Sequence, residues 1–147
     1  MPTYKHLLIG LDLSSESQQV VDRVKFLFSD SQIKISVCHI LEPLAFTYGG
    51  DIPVDLSDVQ LQLEQQSKER LSACAEQLNI AEEDCHVVLG QPAREMHRIA
   101  ADGAVDLIVV GSHGRHGLAL IFGSTSNSVL HGASCDVLAV RIKENQA

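Results

Sequence analysis

At 147 residues, 45% hydrophobic and 20% charged, the chain has the composition of one globular domain, long enough to bury roughly 68–70% of its unfolded surface. Its net charge of −8 argues against a general nucleic-acid or anionic-membrane surface, and no apolar run approaches the ~20 residues of a membrane span. The four cysteines (Cys38, Cys74, Cys85, Cys135) lack CxxC spacing, and the opening MPTYKHLLIGLDLS lacks a basic region and a cleavage site, which together predict reduced thiols in a cytoplasmic protein.

Tyr4 to Leu11 reads as a short buried strand ending at Asp12. Ser15 and Gln18 have the spacing of a capping box, and Val20, Val24 and Leu27, with Val21 and Phe28 beside them, form the stripe of an amphipathic helix. A second strand runs from Ile33 to Leu41. Glu42 to Leu56, with two prolines and Gly49-Gly50, reads as a flexible loop. Ser57 and Gln60 repeat the capping-box spacing and open a polar helix to about Asn79, with Leu63, Leu71, Ala75 and Leu78 facing the core. Asp84 to Leu89 is the third strand. Gly90-Gln-Pro92 opens a helix with proline in its first turn; Met96, Ile99 and Ala100 face the core and Gly103 marks the end. Asp106 to Gly111 is the fourth strand, Ser124 to His131 a helix with Gly132 at the C′ position, and Asp136 to Ile142 the fifth strand. Lys143 to Ala147 is a polar tail.

Near-continuous apolar strands alternating with helices predict an α/β fold, a parallel sheet with helices on both faces. Right-handed crossovers leave few topologies. An open five-stranded sheet of order 3-2-1-4-5 puts strands one and four side by side, and ligands of such sheets sit at the carboxyl ends flanking that reversal. Those ends are Asp12 and Gly111. The glycine-bearing stretch that follows, with Gly114, Gly117 and Gly123 and then Ser124-Thr-Ser-Asn-Ser128, lets the backbone approach a ligand and offers helix-terminal N–H groups and hydroxyls to an anion. Asp12 is suited to accept from a ribose hydroxyl or an adenine edge; its alternative role is capping the first helix. His113, Arg115 and His116 add positive charge or are simply exposed loop residues, and His113-x-x-His116 does not make a metal pair by itself.

Other chemistries are missing their residues. There is no G-x-x-x-x-G-K-[ST], the first strand–helix turn has one glycine rather than G-x-G-x-x-G, and no serine lies in G-x-S-x-G. Spacing supports binding better than turnover.

Gly111-x2-Gly114 followed at a distance by Gly123-Ser124 resembles the nucleotide signature of the universal stress protein family. So do KHLLIGLDLSSES with its Asp12, SVCHILEP, Gly90-Gln-Pro-Ala93 and the closing SCDVLAVRI. The resemblance covers nearly the whole chain. It implies a single domain of Rossmann-like, adenine-nucleotide α-hydrolase-like fold, and a homodimer pairing its last strands, here Val137 to Ile142. In one branch it implies ATP, ADP or AMP, with Mg²⁺ as a companion, in the switch-point cleft. Carried across residue by residue, Leu11 and Asp12 meet the adenosine end and the Ile40 backbone lies near adenine. Gly111, His113, Gly114 and Arg115 line ribose and phosphates, and Gly123, Ser124, Thr125 and Ser126 hold the phosphates.

Two features depart from that branch. Arg115 to Phe122 is eight residues, one fewer than its usual spacing. Asp136 stands where it commonly has proline, and together with TYGGDIPVDLSDVQ looks more like the branch that does not bind ATP. Three readings follow: a nucleotide-binding stress sensor or regulator, a nucleotide-free dimeric scaffold, and a slow ATP hydrolase or phosphotransferase with Mg²⁺ held near Asp12.

Overall fold

Five parallel strands, β1 (His6–Gly10), β2 (Lys34–Leu41), β3 (Cys85–Leu89), β4 (Leu107–His113) and β5 (Asp136–Ile142), lie in the order β3-β2-β1-β4-β5. This is the arrangement the alternation of elements predicts. The structure, a computed structural model, describes residues 4–43, 57–113 and 123–143. The helices are α1 (Ser17–Phe28), α2 (Ser57–Gln77), α3 (Pro92–Asp102) and α4 (Gly123–Gly132), with a 3₁₀ turn at Glu82–Asp84.

All five residues of β1 are buried, as expected of a strand covered on both faces. Alternation along the strands divides the core in two. Leu7, Ile9, Val37, Val109 and Val140 pack with Val20, Val21 and Val24 of α1 and with Leu71 and Ala75 of α2. On the other face, Leu8, Cys38, Ile108 and Val110 pack with Ala93, Met96 and Ile99 of α3 and Val129 of α4. Helices therefore cover both faces.

Several local expectations are corrected. The Ser15–Gln18 capping box does not form: the residue preceding α1 is Glu16, in helical conformation and without a side-chain cap bond. Gln18 instead bonds Asp22 at 2.9 Å and Gln77 at 2.7 Å, tying α1 to the end of α2. The inner stripe of α1 is Ser17, Val20, Val21 and Val24. Leu27 turns outward at 45% exposure, next to Phe26 at 80%. On α2 the fully inward positions are Ser67, Leu71 and Ala75, and Leu63 is only half-buried. Gly132 belongs to α4 rather than following it. Gly103 does end α3, but the left-handed residue is the next one, Ala104, at φ 53°. Most of the expected loop at 42–56 lies outside the described residues, as does the tail beyond Lys143.

Candidate functional site

β1 is shorter than both of its neighbours at the carboxyl end. Its pairing with β2 ends at Gly10↔Cys38, and its pairing with β4 at Gly10↔Val110. β2 runs on to Leu41 beside β3, and β4 runs on to His113 beside β5. The sheet is therefore notched over the end of β1, with Ile40 and Leu41 on one side and Gly111 to His113 on the other. The strand order reverses at the same place.

The floor of the notch is the turn from β1 into α1. Leu11 is 5% exposed, and its amide donates to the Cys38 carbonyl at 3.0 Å. On the opposite side of β2, the Gly90 amide donates to the Leu41 carbonyl at 2.9 Å. In a parallel ladder successive residues direct their backbone groups to alternate neighbours. Cys38 and Ile40 therefore face β1, while Leu41 faces β3. Past Gly10 the Ile40 backbone borders the notch.

Asp12 is exposed, and its Oδ1 accepts from the Ser14 amide and the Ser17 hydroxyl, both at 3.0 Å. The carboxylate thus shapes the approach to α1, in place of the expected serine cap. Between these contacts Leu13 adopts φ 60°, a left-handed conformation that costs a non-glycine residue free energy and persists only where its surroundings enforce it.

β4 runs two residues past its expected end, to His113, and Gly111 lies within it, paired with Val140. A Cβ there would meet Ile142 Cγ1 at 3.1 Å and Val20 Cγ2 at 3.3 Å, so glycine lets β5 and α1 close on β4. His113 ends β4, and Gly123 to Ser126 form the first turn of α4. That turn places helix-terminal N–H groups at positions 123–126. Gly114, Arg115, His116 and Gly117 lie outside the described residues.

Two histidines and an aspartate matter more than their sequence context suggests. His39 reads as an ordinary strand residue, yet its Nδ1–H donates to the Leu11 carbonyl at 2.7 Å, bracing the floor of the notch. The signal was a polar side chain inside the otherwise apolar SVCHIL. His97, on α3, donates to the Val129 carbonyl of α4 at 2.9 Å. Asp106, at the start of β4, accepts from the Lys5 amide at 2.9 Å and the His6 amide at 3.0 Å. The Lys5 bond, helped by the one from His6, holds its carboxyl below the ordinary value.

The sequence matches the universal stress protein family over residues 3–141. It is 42% identical to universal stress protein A homolog 2 of Coxiella burnetii, an alignment covering 97% of this chain and 99% of the relative. Homolog 1 of the same organism is 34% identical, with 96% and 99% covered. Among solved structures, hypothetical protein MJ0577, the subject of a structure-based assignment of biochemical function, superposes with a TM-score of 0.77 at 22% identity, covering 99% of this chain and 100% of that one. A universal stress protein in complex with cAMP superposes at 0.61 and 22% identity, with 95% and 98% covered. These structural likenesses establish the shared fold, and the sequence matches carry the kinship: the chain belongs to the universal stress protein family.

Proposed function

We propose that this protein binds an adenine nucleotide (ATP, ADP or AMP, the triphosphate with Mg²⁺) in the notch over β1. It acts as a single-domain, cytoplasmic, homodimeric stress sensor or regulator whose state follows its ligand. The observation that carries this reading is the notch itself, which leaves the Ile40 backbone and the end of β4 facing each other across Leu11 and Asp12.

In this reading Leu11 and the Ile40 backbone receive the adenine, and Asp12 accepts from ribose while holding its own turn. Gly111, His113, Gly114 and Arg115 border ribose and phosphates. The amides and hydroxyls of Gly123, Ser124, Thr125 and Ser126 take the phosphates at the positive end of α4. The cAMP held by one structural neighbour supports the ligand class. The dimer forms by pairing of β5 edges, which removes an apolar strand edge from solvent.

Thermal unfolding with and without Mg-ATP tests the reading, alongside a search for nucleotide released from freshly denatured protein. A single-site ligand at 100 times its Kd stabilises by about 2.7 kcal/mol, a rise of several degrees for a domain of this size. The expected result is such a rise in the wild type and its loss in Gly123→Val. No shift at millimolar ATP and no released nucleotide would favour the scaffold reading, with which Asp136 and the shortened Gly114–Gly123 spacing agree.

A further inference from the structure

His97 sits on α3, away from the notch, and the proposed ligand contacts do not involve it. Its Nε2–H donates to the Val129 carbonyl at 2.9 Å. Val129 lies in the last turn of α4, where carbonyls run out of partners within their own helix. The following Ala133 amide goes to Leu130 instead, at 3.5 Å. The imidazole of a neighbouring helix thus bonds a carbonyl in the last turn of α4. Gly132 makes the approach possible, because a Cβ there would stand 2.5 Å from His97 Cε1. Val129 itself has no exposed surface.

The residue before His97 is keyed in the same way to the sheet. Met96 lies over Gly10, where a Cβ would come within 2.7 Å of the methionine sulfur. Two successive residues of α3 therefore fit two glycines, one at the end of the strand that floors the notch and one in the last turn of α4. That couples α4, through α3, to the carboxyl end of β1.

A helix rises a fixed 1.5 Å per residue, so anchoring its last turn sets where its first turn stands. We propose that His97 is a positioning residue for the phosphate end of the site. It sets the axial position of α4, and hence how Gly123 to Ser126 meet the ligand. This rests on the nucleotide reading of the notch. The adenosine end depends instead on Leu11 and Ile40, which belong to the sheet side, so the two ends of the ligand respond differently to loss of His97.

Calorimetric titration of wild type, His97→Ala and His97→Gln with ATP and, separately, with adenosine tests this. His97→Ala is expected to weaken ATP binding about tenfold, the scale of one lost hydrogen bond, and to leave adenosine within about twofold. His97→Gln, which keeps an N–H donor, is expected to recover most of the loss. Equal weakening of both ligands, unchanged ATP affinity, or no recovery in the glutamine variant overturns the inference and leaves the nucleotide reading standing. Should His97→Ala fail to fold, Gly132→Ala, which pushes the ring aside, replaces it: ATP weakened with adenosine spared supports the inference, and equal weakening or unchanged ATP affinity overturns it. A wild-type protein that takes up neither ligand sinks the nucleotide reading, and this inference with it.

Discussion

Asp106 joins the starts of two strands through a pair of backbone amides, Lys5 and His6, and its carboxyl is held below its ordinary value of 3.8 by those bonds. A group whose folded value lies below its unfolded one stabilises the fold above the ordinary carboxylate range. That contribution fades as pH falls through the folded value. Asp106→Ala is therefore expected to lower the melting temperature at pH 7, and the gap from wild type to shrink below about pH 4, in paired melting curves over pH. The opposite behaviour belongs to Cys38, whose thiol burial pushes up to about 12. Thiolate is the reactive form, so a thiol reagent at pH 8 is expected to leave Cys38 unlabelled in the native protein and to label it in urea, read by mass spectrometry. Neither residue stood out in the sequence. An aspartate before an apolar strand and a cysteine inside one are common, and their roles depend on neighbours brought in from other strands and helices.

At the scale of elements, period separates inside from outside more sharply than hydrophobicity does. α2 carries Leu61 at 62% exposure and Leu71 at 1%, though the two residues are chemically identical. Leu71→Ala is expected to cost about 2–5 kcal/mol, and Leu61→Ala less than about 0.5, in chemical denaturation. A Leu61 cost as large as that of Leu71 would mean that the outer face of α2 is covered in solution. The 3.6-residue period was visible in the sequence, but its phase was not certain where apolar residues crowd, as in VKFLF at the end of α1. There Phe26 and Leu27 face out while Val24 faces in, because the axis of α1 is set by packing against β4 and β5 rather than by its own composition.

At the scale of the whole molecule, β5 is an edge strand, with Val137, Leu138 and Ala139 only half-buried. A two-fold pairing of this strand runs antiparallel, and if centred it sets Ala139, midway between Asp136 and Ile142, opposite its own copy. Like charges directly opposite destabilise such a pair. Ala139→Glu is expected to shift a dimeric wild type to monomer in light scattering. An unchanged mass would place any dimer contact elsewhere.

The sequence alone determined the element order and the parallel sheet, because buried strands announce themselves as unbroken apolar runs, and the one hand of βαβ connections narrowed the strand orders to a few, among them the one found. It also located Asp12 and the Gly123–Ser126 turn as candidate residues at the switch point, and its resemblance to the universal stress protein family added Leu11 and Ile40. Tertiary structure decided how those positions are held. Asp12 shapes the turn into α1 through local bonds to Ser14 and Ser17, but whether Gly111 serves packing within β4, and which histidine braces which carbonyl, depend on contacts between residues far apart in the chain. The His97–Val129 bond spans 32 positions and the Asp106–Lys5 bond 101. Local patterning carries no record of such pairs; only the closing of the sheet and its helices brings them together.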